Sequence, residues 1–242
     1  YKVLHRRGYL IGFLAILLLG EGVILFAIIQ VNNGYEDIHN TYASVVNILV
    51  MMLQLGLYCA IIIGDMVFSD QYKYNTLKNE ISFGISRVKA YFGKLMFAAV
   101  LSILLMAAVL GVYLGVGRLF VPFVAEDAQY VYFMGVELLK ALPLWLGSLS
   151  VAMAFYFNIH SNTAASFVTV GVVAVLPGAL KLFYLVTERD IWLRLRQLCL
   201  AAPFDGANGS WESCGMAWLI GLGWIAVSSA IGAGLFSRRE IN

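Results

Sequence analysis

The residue types that could do chemistry are few and scattered in this chain. A phosphate-binding loop needs glycines whose backbone cradles phosphate and a lysine followed by a hydroxyl residue. The only Gly-Lys pair, Gly93-Lys94, has Val88 at the first glycine position and Leu95 in place of the hydroxyl residue. His5, His39 and His160 lie far apart and none belongs to an H-E-x-x-H pair, so no zinc site is expected. No serine sits in a G-x-S-x-G elbow. Gly64-Asp65 is half of an aspartyl intramembrane protease signature, but Ile62 replaces its first glycine and no second intramembrane aspartate follows. No catalytic residue is therefore assigned, and the chain is read as a non-enzyme. Glu21 stands out, a single acid near the middle of the apolar run 10–30.

Composition sets the solvent in which these residues must be positioned. Of 242 residues 61% are apolar and 12% charged, with a net charge of +2 and three cysteines. Ordinary soluble domains carry about 45–50% and about 25%. Disorder, a disulfide scaffold and a nucleic-acid partner are all excluded on that balance. Six apolar stretches reach the roughly 20 residues that a helix needs to cross a bilayer, at about 10–30, 43–68, 92–117, 134–157, 163–186 and 214–236. They lack the period-two alternation of barrel strands. The expectation is an all-α integral membrane fold of six transmembrane helices in one domain, 1–242, with no cleaved signal peptide after the first run. The chain opens at Tyr1 without methionine, so its true start is expected either to have been processed or to lie before Tyr1.

Lysine and arginine counts orient the helices, because cytoplasmic loops retain these residues. Lys2, Arg6, Arg7, Lys73, Lys78, Arg87, Lys89, Lys94, Arg238 and Arg239 fall on one side, against Arg118, Arg189, Arg194 and Arg196 on the other. Both termini are expected in the cytoplasm. Lys140 and Lys181 would then snorkel to the outer interface. Close helix contacts are plausible at Gly8-x-x-x-Gly12, Gly111-x-x-x-Gly115 and Ser228-x-x-x-Gly232. Cys199 and Cys214 both fall outside, where they could pair; Cys59, within the second helix, reads as a packing residue. For Glu21 two readings stay open. A charge near the bilayer centre costs about 2.5–3.5 kcal/mol on insertion scales, so it either lines a substrate cavity facing a cationic cargo or is neutralised in a helix contact.

The most informative stretch is the break at about 70–89, between the second and third helices. Tyr74, Leu77, Ile81, Ile85 and Val88 recur at spacings of three and four, opposite Lys78, Asn79, Ser82 and Lys89. Gly84 should end such a helix. It would either lie on anionic lipid or dock into a groove of a cytoplasmic protein.

These residues resemble the type-2 class of ABC transporter permeases, six-helix exporter membrane subunits encoded separately from their ATPase. Asp70, Tyr74, Asn75-Thr76-Leu77-Lys78, Ser86-Arg87 and the Tyr91-to-Lys94 run look like that family's pattern after the second helix, and so does the Phe236-to-Ile241 end. Asn75 and Asp70 depart from the usual glycine and glutamate. The resemblance implies that the break is a coupling helix taking the stroke of a cytoplasmic ATPase, which would bind ATP and Mg on its own chain. Tyr74, Asn75, Thr76, Leu77, Lys78, Glu80, Ile81 and Arg87 would carry the coupling, with Leu77 and Ile81 anchored in the ATPase groove and Lys78, Glu80 and Arg87 on its rim. A second permease subunit, identical or related, would complete the substrate path, and residues 187–212 would form the extracellular partial helices. An exporter of hydrophobic peptides, bacteriocins or drugs in a bacterial plasma membrane is the implied function. A channel or secondary transporter that works without an ATPase is the alternative.

Overall fold

A computed structural model describes residues 7–34, 41–68, 76–206 and 209–238. Among these there is no strand. The helices are α1 (Arg7–Gly34), α2 (Tyr42–Met52), α3 (Gly56–Phe68), α4 (Thr76–Ser82), α5 (Arg87–Phe120), α6 (Asp127–Asn158), α7 (Asn162–Val170), α8 (Leu176–Thr187), α9 (Ile191–Gln197) and α10 (Trp211–Arg238). A single 3-10 turn, Leu53–Leu55, joins α2 to α3, and a π-helical turn, Gly171–Val175, joins α7 to α8. Each pair makes one continuous span, so the described residues hold six helices long and apolar enough to cross a membrane. These turns fall inside two of the spans, where Leu53–Leu55 tightens and Gly171–Val175 widens the regular hydrogen-bond ladder.

α6 is the pillar of the bundle. In its most apolar window 67% of residues are buried within the protein, against 11% for α1. It is buried because it carries small residues at its contacts, which lets backbones approach where lipid offers no hydrophobic drive. The closest approach is to α10: a Cβ on Gly221 would stand 2.6 Å from the carbonyl carbon and oxygen of Pro143. Ser228 and Gly232 also face inward, and a Cβ on Gly232 would meet the Ala154 Cβ at 2.8 Å. Gly12, Gly111 and Gly115 have open space instead, so among the described glycines of these spacings the tight contact is the one on α10.

Backbone carbonyls have no water to turn to inside a bilayer, and leaving one unpaired there costs several kcal/mol. α6 supplies donors along the interrupted second span. Trp145 Nε1 donates to the Leu53 carbonyl at 2.9 Å, Ser148 Oγ to Leu57 at 2.8 Å, and Tyr156 Oη to Ile61 at 3.4 Å. On its other side Ser150 shares hydrogen bonds with Ser228 and Ser229 at 2.7 and 3.0 Å.

The end of the bundle remote from α4 is fastened by buried charges. Asp127 accepts from Thr41 Oγ1 at 2.8 Å, from the Ala43 amide at 3.2 Å and from the Val124 amide at 2.9 Å. One carboxylate thus joins the start of α2 to the turn before α6. Lys140 does not snorkel. It is fully buried, 2.5 Å from Glu137 one turn earlier, and donates to the Gly206 carbonyl at 3.1 Å. Glu137 in turn accepts from the Gly209 amide at 2.9 Å. Glu137 and the Gly206 carbonyl together give the buried ammonium the ion pair and hydrogen bond that a charge out of water requires.

Candidate functional site

α4 starts at Thr76 and ends at Ser82, after which Gly84, at φ +87°, turns the chain. That left-handed conformation suits a residue without a Cβ. Ser86 then caps α5, its Oγ accepting from the Lys89 amide at 3.4 Å. Two polar ties hold this corner to the bundle. Lys94 Nζ lies 2.8 Å from both carboxylate oxygens of Glu80, and Arg87 Nη1 donates to the Ser237 carbonyl of α10 at 2.8 Å.

Leu77 and Ile81 face inward, which corrects the expectation that these two fill a partner's groove, while Ile85 and Val88 of the same stripe are 43% and 44% exposed. Leu77 is 1% exposed, in the same core as Phe68, Tyr91 and Phe157, and Ile81 packs against that core. Glu80 and Arg87 are engaged within the chain while remaining partly exposed. The reason is that the ends of α3, α5, α6 and α10 converge beside α4 in an aromatic cluster. Phe157 has ring centroids 4.6 Å from Phe68, 4.8 Å from Tyr91 and 4.9 Å from Phe236. A cluster of that kind takes the apolar side of the adjoining helix before any partner can.

What remains open on the corner is a different set. Lys78, Asn79 and Ser82 are exposed, and Phe83 is 88% exposed. Lys78 belongs to the expected set; Phe83 does not. Phe83 lies off the three-and-four stripe, and that was the available signal: an aromatic on the polar side of an amphipathic segment has no core to join. Lys94 was also missed as a partner of Glu80, since a pair 14 residues apart leaves no local spacing cue. Tyr74 and Asn75 lie outside the described residues, and Thr76 is placed only as the first residue of α4.

A family model described as ABC-2 family transporter protein matches residues 1–179. The chain belongs to the ABC-2 transporter family. No curated protein and no solved structure matches it. The matched region of this ABC-2 chain takes in α1 to α7, the π-helical turn and the start of α8, including the whole α4 corner. Members of this family are membrane transport subunits, and no catalytic constellation is needed in them.

Glu21 lies halfway along the first span, Ile11–Val31, on the wall of a cleft of about 330 Å³ between α1, the α2–α3 break, α5 and α6. The segment 187–212 of this ABC-2 chain holds α9 and a short 3-10 turn, Ala202–Asp205. Glu188, at φ 51°, reverses the chain into α9, and Trp192 stacks near Phe183 of α8 at 5.2 Å. Arg196 pairs with Asp205 across the following turn. Cys199 and Cys214 are both buried and unbonded, so the disulfide is not formed. Cys199 Sγ instead donates to the Leu195 carbonyl one turn back at 3.7 Å. Burial pushes its thiol above the ordinary value, and nearby Arg196 partly offsets this.

Proposed function

We propose that this ABC-2 chain is the membrane subunit of an exporter whose ATP hydrolysis takes place on a separate cytoplasmic chain, and that α4 receives the stroke. The carrying observation is the split of the corner into two faces. One is locked into the bundle by Leu77, the Glu80–Lys94 pair and the Arg87–Ser237 contact. The other offers Phe83 and Lys78 to a partner. An exposed aromatic side chain on an otherwise polar face supports a docking role, because aromatic residues are enriched at interface centres, while Lys78 belongs to the polar rim around it. Force applied to Phe83 would pass through Glu80–Lys94 into α5 and through Leu77 into the aromatic cluster shared by four spans.

In this reading the α4 end and both termini face the cytoplasm, ATP and Mg bind the partner, and a second permease subunit, identical or related, completes the path. The host membrane is the plasma membrane of a bacterium, and the cargo is a hydrophobic peptide, a bacteriocin or a drug; both rest on family resemblance. The test is gentle solubilisation from the native membrane, purification, mass spectrometry of co-purifying chains and an ATPase assay. The expected result is a stoichiometric partner bearing a phosphate loop, with ATPase activity in the complex. Isolation of this chain alone, with transport that persists after ATP depletion, would replace the exporter by a channel or secondary carrier.

A further inference from the structure

Lining the cleft beside α1 are apolar side chains and a single carboxylate. Ile24, Leu49, Met106, Val109 and Leu110 supply much of the wall, and no lysine, arginine or histidine contributes to it. The other polar groups on the wall are already engaged. Tyr113 Oη donates to the Val45 carbonyl at 3.1 Å and Trp145 Nε1 to Leu53 at 2.9 Å. Glu21 is different: its Oε2 is buried and has no hydrogen-bond partner. An acid so placed is costly unless a cation or donor joins it. At about 330 Å³ the cleft falls in the size range of small-molecule sites, which are apolar with few placed polar groups.

We propose that this cleft binds a lipophilic primary amine, with the ammonium on Glu21 and the hydrocarbon body along α5 and the α2–α3 break. Charge complementarity selects the head and the apolar wall selects the tail. The 3-10 turn contributes to the shape, because Leu53, Leu55 and Gly56 on the wall belong to or adjoin it. Since the site lies inside one chain, it needs neither ATP nor a second subunit, and it stands apart from the exporter reading.

The test uses the full chain in lipid nanodiscs and follows quenching of tryptophan fluorescence by 11-bromoundecylamine, with 11-bromoundecanol as the neutral control of equal length. Trp145 is the tryptophan on the cleft wall. The amine should quench saturably above the bilayer background, and the alcohol should not. Glu21→Gln should weaken the saturable phase about tenfold or more. Gly20→Leu should remove it, since Gly20 lines the cleft and has open space where a Cβ would stand. Thermal unfolding of both variants should match the parent, which separates loss of binding from loss of fold. Equal quenching by alcohol and amine, or amine affinity unchanged in Glu21→Gln, would overturn the proposal by making the cleft a site for any acyl chain.

Discussion

Leu77 and Phe83 are six residues apart and make opposite predictions. Phe83→Ala removes a ring that is 88% exposed, so it should change stability by no more than about 0.5 kcal/mol. If that ring becomes buried against the ATPase, its loss removes about 1.5–3 kcal/mol from docking, or about ten- to hundredfold in affinity. Leu77→Ala removes a side chain that is 1% exposed and should cost about 2–5 kcal/mol of stability. Its effect on docking should follow unfolding rather than precede it. The assay is a titration of the purified ATPase onto nanodisc-embedded permease, read as stimulated hydrolysis, with thermal unfolding of each variant measured in parallel. Phe83→Ala should dock weakly and melt normally; Leu77→Ala should melt early and, below its transition, dock normally. Unchanged docking by Phe83→Ala, or impaired docking by a fully stable Leu77→Ala, would refute the assignment of the two faces.

Asp127→Ala leaves the Ala43 and Val124 amides and the Thr41 hydroxyl without their acceptor, and should cost about 3 kcal/mol, seen as an earlier thermal transition. Gly221→Ala forces its new Cβ into the Pro143 backbone and should destabilise by about 1–3 kcal/mol, whereas Gly111→Ala, with open space, should be neutral or gain up to about 1 kcal/mol. The comparison of the two melting curves tests whether α6 and α10 are in backbone contact. Alkylation of the denatured protein without reductant should add three labels by mass, one for each of Cys59, Cys199 and Cys214; a single label would mean that Cys199 and Cys214 are bonded.

Much of the fold is legible in the residues because a bilayer leaves so few options. An apolar run of about 20 residues must satisfy its own backbone, and only a helix does this within one segment. The six runs follow from that constraint, and the amphipathic stretch at α4 from its three-and-four spacing. The existence of Glu21 as an isolated acid is equally a property of the sequence. Direction is another matter. The stripe Leu77, Ile81 and Ile85 shows that a helix has an apolar side without showing which neighbour covers it; here the rings of Phe68, Tyr91, Phe157 and Phe236 gather from four spans into the core that takes Leu77 and Ile81, and Ile85 stays exposed. Lys140 and Lys181 look alike in the sequence; Glu137 and the Gly206 carbonyl bury the first, while the second stays exposed. Three small-residue spacings look alike as well; Gly232 on α10 meets a partner backbone, whereas Gly12, Gly111 and Gly115 have open space. In each case the sequence determines what a side chain can do, and the tertiary packing decides which partner is within reach, because, Glu137 apart, the deciding partners come from other elements, as Gly206 does for Lys140 at 66 residues' separation.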